Sequence, residues 1–164
     1  MTTTSGTIEV AFFGGAHVIR LSGDVRLNLC TTLDRYVNEI LRGTDYDNVI
    51  IDLSAAEGLD STTLGQIAKI AILSRERFGI VPTITSPDPG ITRILLSMGF
   101  DQVFHIVDKA ISDQAEFREW AVDTLNEDCA REQVISAHKT LMSLNDKNKE
   151  EFRHLVDVLE SRPH

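Results

Sequence analysis

Val49-Ile50-Ile51-Asp52-Leu53-Ser54-Ala55-Ala56-Glu57-Gly58-Leu59-Asp60-Ser61-Thr62-Thr63-Leu64-Gly65 is the stretch that sets the fold of the chain. Val49 to Leu53 is a short apolar run rich in β-branched residues, which suits a strand buried on both faces of a sheet. Ala55 to Gly58 then reads as a turn. Asp60, Ser61, Thr62 and Thr63 follow as four consecutive side chains with oxygens that can cap the free N–H groups of a helix start. The helix is predicted through Leu64, Ile67, Ala68, Ile70, Ala71, Ile72 and Leu73 to about Phe78, with Gly79 as its stop. Ser61 is thereby placed at a positive helix end, where an added anion is tolerated.

Upstream, Thr7 to Phe13 and Ala16 to Ser22 read as two strands joined at Gly14-Gly15, a dipeptide that supplies the positive φ angles of a tight hairpin. Gly23 and Asp24 then break the chain. From about Asn28 to Leu41, Leu29, Leu33, Val37, Ile40 and Leu41 recur at helical spacing, with Gly43 at the C-cap position. Downstream, Ile80 to Thr85 reads as a strand, and Pro82 near its start suggests that this strand lies near an edge or begins there. Ser86 to Gly90 is turn chemistry, Ile91 to Met98 a short helix ending at Gly99, and Val103 to Val107 a last strand. Strands alternating with helices on short connections predict an α/β domain over residues 7–108, with parallel pairs after the opening hairpin.

Residues 109–164 carry no strand signal. Three apolar faces recur there: Phe117, Trp120, Ala121 and Leu125; Val134, Ile135, His138, Leu141 and Met142; and Phe152, Leu155, Val156 and Leu159. Asn145-Asp146 breaks and re-caps the helix between the last two. An all-helical extension of two or three helices is expected, packed on the α/β domain to cover apolar surface, in preference to a free partner-binding hairpin.

The 164 residues are 42% hydrophobic, enough for a real core, and carry a formal net charge of -9. The acidity disfavours a nucleic-acid or anionic-membrane partner, each of which needs a basic footprint. The charge is not segregated: -5 falls on residues 1–108 and -4 on the remainder. No apolar run reaches the roughly 20 residues of a membrane span, and Met1 to Gly6 has no leader pattern. Cys30 and Cys129 lie far apart with no metal-ligand spacing, which fits a reducing, cytoplasmic setting.

Chemistry-bearing motifs are few. There is no phosphate-binding Gly-x-x-x-x-Gly-Lys loop, no Gly-x-Gly-x-x-Gly and no Gly-x-Ser-x-Gly elbow. His17, His105, His138, His154 and His164 are scattered, and none forms a metal pair at i, i+4; His105 alternates with Phe104 and Ile106 and is expected to face away from their packing. No metal or cofactor is expected, and no enzymatic activity. Asp52 stands where an α/β domain can carry a receiver-like phospho-acceptor. Such a site needs a paired acidic residue after the first strand, and only Asp24 offers itself, so a structural, hydrogen-bonded Asp52 is favoured. On the residues alone, Asp60 to Thr63 is a helix start, with Asp60 or Ser61 as N-cap or Thr63 with Gln66 in a capping box, favoured over a modification site.

The order of elements resembles the STAS domain of bacterial anti-sigma-factor antagonists. Leu21-Ser22-Gly23-Asp24-Val25 is similar to that family's turn after the second strand. Ile50 to Leu53, followed by Leu59-Asp60-Ser61-Thr62 and Leu64-Gly65, resembles its phosphorylation-site motif. Ser86-Pro87, Arg93-Ile94-Leu95, Met98-Gly99-Phe100 and Val103-Phe104 with Ile106 resemble its closing strand-helix-strand. The likeness covers residues 7–108; a departure is Thr63, where the family commonly has glycine. It implies a STAS-like mixed sheet with helices on it and a protein-binding switch. In that switch the unphosphorylated chain sequesters an anti-sigma factor that is itself a serine kinase, and phosphorylation at Ser61 releases it. Thr62 and Thr63 are the secondary acceptors, and Asp24, Leu59, Asp60, Ser61 and Thr62 the partner-binding set. A metal-dependent serine phosphatase is the implied resetting partner, so that any cofactor belongs to the partners. The rival readings are a STAS-fold scaffold or regulatory subunit that signals by binding through its helical tail, and a receiver-like phosphoprotein using Asp52. With no spans of its own, the chain is not expected to serve an anion transporter.

Overall fold

The computed structural model describes residues 6–26, 30–40, 48–109, 117–120 and 127–161. The opening hairpin is as expected: β1 (Thr7–Phe13) and β2 (Ala16–Val25) pair antiparallel around Gly14 and Gly15, whose φ angles of 58° and 81° are open to glycine alone without strain. The chain does not break at Gly23-Asp24. Gly23 adopts φ 75° and the register of β2 shifts between Gly23 and Asp24, so a β-bulge re-aims the strand while it continues to Val25.

β2 is the hub. Its first half pairs parallel with β3 (Asn48–Asp52), and its end pairs parallel with β4 (Ala56–Leu59). The predicted turn at Ala55 to Gly58 is therefore mostly strand. The apolar run of β3 ends as predicted, with Val49, Ile51 and Leu53 buried. β5 (Thr83–Thr85) lies parallel between β3 and β6 (His105–Val107). The strand after Pro82 is thus interior, because Pro82 sits before it and contributes only its carbonyl, which accepts from the His105 N–H at 2.9 Å. β6 begins later than predicted, since Phe100–Gln102 forms a 3₁₀ turn. His105 is exposed and Phe104 buried, in line with their alternation.

Helix α1 (Cys30–Ile40) buries Leu33, Tyr36 and Val37; its predicted C-cap Gly43, like Asn28, Leu29 and Leu41, lies outside the described residues. Helix α2 (Ser61–Phe78) starts on Asp60 and stops on Gly79 at φ 65°. Helix α3 (Pro89–Ser97) is capped by Asp88 with proline in its first turn, and Met98 is its C-cap.

The extension adds one element to the expected helices. Arg118–Trp120 is a strand, β7, antiparallel to β1 at the sheet edge, which takes Phe117 and Trp120 out of the predicted helical face. Ala121 and Leu125 lie outside the described residues. The sheet order is β6-β5-β3-β2-β1-β7 with β4 on the end of β2. Helices α4 (Glu127–Met142) and α5 (Asp146–Ser161) follow as an antiparallel pair broken at Asn145, whose Oδ1 accepts the Asn148 N–H at 2.8 Å. Ala137, Leu141, Phe152 and Val156 are buried, α4 packing on α2 and α5 on α4, in line with the expected cover over apolar surface.

Candidate functional site

Helix α2 is unusual for a surface helix in being covered on two sides. Thr62 through Ala68, Ile70, Ala71 and Ser74 are all buried. One side faces the sheet and α1; the other is covered by α4. That explains why its sequence is apolar or small nearly all the way round rather than along one stripe.

At its N-terminus the capping is assigned to one residue. Asp60 has extended backbone (φ -86°, ψ 168°) and accepts the Thr63 N–H at Oδ1, 2.8 Å away. Ser61 is the first helical residue and does not serve as N-cap; nor does Gln66 close a capping box, since its amide donates to Gln133 of α4. The Ser61 hydroxyl lies 2.7 Å from Nε2 of His138, on α4, and Ser61 as a residue is partly exposed. Nδ1 of the same ring lies 2.7 Å from the Val134 carbonyl. A carbonyl only accepts, so Nδ1 carries a proton and donates, and Nε2 is the ring nitrogen that bonds the Ser61 hydroxyl. His138 is 2% exposed and packs edge-on against Phe152 at 5.0 Å between ring centroids.

The sequence-predicted binding set gathers around this helix start. Asp24 pairs with Gly58 and Val25 with Leu59 along β2 and β4, and the Asp60 N–H donates to the Val25 carbonyl at 3.3 Å. A Cβ at Gly58 would lie 2.9 Å from Asp24 Oδ1, so any larger residue there has to turn the Asp24 carboxylate aside. Asp24, Leu59, Asp60 and Ser61 are all partly exposed, whereas Thr62 and Thr63 are buried, with Thr63 Oγ1 donating to the Val25 carbonyl at 3.4 Å. Of the three hydroxyl candidates, Ser61 alone reaches the surface. Arg26 donates to Asp24 Oδ2 at 2.6 Å; that hydrogen bond, the Asp24 charge and the nearby Asp60 raise the Arg26 pKa. The rim is thus acidic with one salt-bridged arginine.

Asp52 occupies no such surface. It is fully buried; Oδ1 accepts from the Ser54 N–H at 3.0 Å and hydroxyl at 2.6 Å, and Oδ2 pairs with Arg20 Nε at 2.8 Å. Both oxygens are used in fixing the strand-to-loop corner. The Arg20 guanidinium also lies over the Phe117 ring, 3.7 Å from its centroid, tying the start of the extension to the core. No group of three His, Cys, Asp or Glu side chains is gathered at metal-binding distance among the described residues, and no described helix is long and apolar enough to cross a membrane.

The residue at this site that sequence reasoning missed is on α4. His138 was legible as part of an apolar stripe, and a buried imidazole needs polar partners. That those partners are Ser61 and the Val134 carbonyl is a tertiary fact, since Ser61 lies 77 positions away.

A family model, that of the STAS domain, matches residues 7–112, more than half of the chain. The chain belongs to the STAS domain family. This is the domain of anti-sigma-factor antagonists, and it identifies the chain as a regulatory module that works through protein–protein interaction. The match ends a few residues beyond the boundary read from the sequence, leaving β7, α4 and α5 outside it. No curated protein matched the chain.

Proposed function

We propose that this STAS protein is a non-enzymatic anti-sigma-factor antagonist of a bacterial cytoplasm, switched by phosphorylation at Ser61. The observation that carries the reading is the division of labour at the start of α2. Asp60 does the capping, so the Ser61 hydroxyl has no duty to the backbone, and Ser61 is the part-exposed residue among the three candidates. It stands beside Asp24, Leu59 and Asp60, the set through which the unphosphorylated chain would hold an anti-sigma factor with serine kinase activity.

A phosphoryl group brings about -1.5 to -2 charges at neutral pH. Within the domain the helix end favours it by only about 0.3–1 kcal/mol, and Asp60 opposes it, so the α/β fold itself should barely respond. At a docked interface the balance is different. An uncompensated charge buried there costs on the order of 3–5 kcal/mol, roughly a hundred-fold to a few thousand-fold in affinity. Blocking, rather than refolding of the domain, is the effect of that size. A metal-dependent serine phosphatase would restore binding. The test is titration calorimetry of the chain against the anti-sigma factor recovered with it from its native cells. Ser61→Asp should weaken binding at least about a hundred-fold, and wild-type affinity in that variant would refute the switch.

A further inference from the structure

The exposed face of the STAS domain next to Ser61 is not bare: α4 lies on it. We infer that α4 is a displaceable, built-in occupant of the α2 docking face, latched by the Ser61–His138 hydrogen bond and released when the Ser61 hydroxyl is modified. The inference rests on the proposed role of Ser61 and adds a second layer to it, control by the chain's own C-terminal helices.

Three features carry it. The seam between α2 and α4 is made of small and polar groups, with Gly65 against Ala137, Gln66 against Gln133 and Ser61 against His138. Among the described residues of α4, full burial starts only at Ala137; Ala130, Arg131, Gln133, Val134 and Ile135 are half-buried and Glu132 is exposed. Polar pairs of this kind part at less cost than the Ile and Leu packing under α2; the apolar anchor of α4 is Leu141, one turn further along and in the core cluster. The hairpin is held independently at its other end. Asn148 Nδ2 donates to the Met98 carbonyl at 2.8 Å and Asn145 Nδ2 to the same carbonyl at 3.3 Å, and Lys147 reaches the Ser97 carbonyl at 3.1 Å. Release at Ser61 therefore leaves a tethered hairpin rather than a lost one.

Esterification of Ser61 removes the latch as it stands: phosphorus replaces the hydroxyl proton, and a phosphoryl group turned toward α4 needs the space in which the imidazole sits 2.7 Å from Oγ. The ring is held from behind, Nδ1 by the Val134 carbonyl and the ring by its edge-on contact with Phe152, so making that space shifts α4 with it. A partner docking on unmodified α2 must displace the same helix, so its apparent affinity is lowered by the fraction of closed molecules. The partner element that fits is a helix with a small residue at the Gly65 crossing.

Hydrogen exchange read by mass spectrometry on the full chain tests this without any partner, using Ser61→Asp and His138→Ala beside wild type. Both variants should exchange about ten times faster over residues 127–142, the effect of one lost hydrogen bond, with β2 and β3 unchanged. Wild-type exchange over 127–142 in either variant overturns the inference; so does loss of protection spreading into β2 and β3, because the latch governs α4 alone. Binding of the anti-sigma factor separates the two layers: Ser61→Asp should bind more weakly and His138→Ala up to about tenfold more tightly than wild type. Faster exchange with undiminished Ser61→Asp binding would leave the latch standing and remove the switch. Flat exchange with lost Ser61→Asp binding would do the reverse.

Discussion

Gly65→Ala is the substitution whose sign discriminates most sharply. In the interior of a helix such as α2, replacing glycine by alanine ordinarily stabilises by about 0.5–1 kcal/mol, since glycine gives up more backbone freedom on folding. Here a methyl at Gly65 would lie 2.6 Å from both Ala137 Cβ and the Ala137 carbonyl carbon, and closer still to the carbonyl oxygen. Ordinary contact between such atoms is about 3.5–4.0 Å. The obstructing atoms are largely backbone, so no side chain can swing aside and α4 has to retreat by about 1 Å. Overpacking of this kind costs about 1–3 kcal/mol. The retreat also stretches the flanking Ser61–His138 and Gln66–Gln133 hydrogen bonds, about 0.5–1.5 kcal/mol each if lost. The costs outweigh the gain in helix propensity, leaving a net destabilisation of about 1–3 kcal/mol. For a chain of this length that lowers the thermal midpoint by about 2–10 °C, and urea unfolding should show a lower midpoint at unchanged slope. An unchanged or raised midpoint would show that α4 does not approach α2 as closely as described and would refute the reasoning.

Two further outcomes follow from the buried polar groups. Asp52→Ala leaves Arg20 without its buried carboxylate and removes the acceptor that fixes Ser54 at the strand-to-loop corner, and should cost about 3 kcal/mol in urea unfolding; a loss below about 0.5 kcal/mol, the level of an ordinary surface substitution, would return Asp52 to the list of exchangeable functional residues. Tyr36 is held neutral by burial first and the nearby Glu39 charge second, which raises its pKa from 10.0 to about 12. Its folded pKa is above its unfolded one, so this contribution is fully present below pH 10 and is lost as pH rises through about 12. Unfolding midpoints measured across that window should fall more steeply for wild type than for Tyr36→Phe, and parallel slopes would contradict the assignment.

Much of the fold was legible because it is written in local patterns. The buried run of β3, the Gly14-Gly15 hairpin and the Asp60 to Gly79 limits of α2 each follow from residue type and spacing alone. The misreadings share another cause: pairing imposed from elsewhere. Ala56–Leu59 has no β-branched residue and becomes a strand because the end of β2 offers it a partner, and Arg118–Trp120 becomes one because the edge of β1 does. Gly23-Asp24 looked like a break because a bulge and a turn draw on the same glycine chemistry. Pro82 marked either an edge or the start of a strand, and it is the second that holds, one residue early: β5 starts at Thr83 and is interior. At the site, Ser61 and its acidic neighbours could be named from the motif, and the pairing of β2 with β4 is what brings Asp24 to them. The cover over Ser61 could not be named. Amphipathic spacing shows that α4 has a face to bury, but which surface it buries depends on the absence of a side chain at Gly65 and on a hydrogen bond that no periodicity encodes.

The most direct measurement is phosphosite mapping by mass spectrometry of this chain recovered from its native cells, with Ser61→Ala in parallel. Phosphate on Ser61 that disappears in the variant is the predicted result. A chain unmodified at Ser61 across growth phases and stresses would contradict the switch and leave Ser61 as the hydroxyl that fastens α4 to α2.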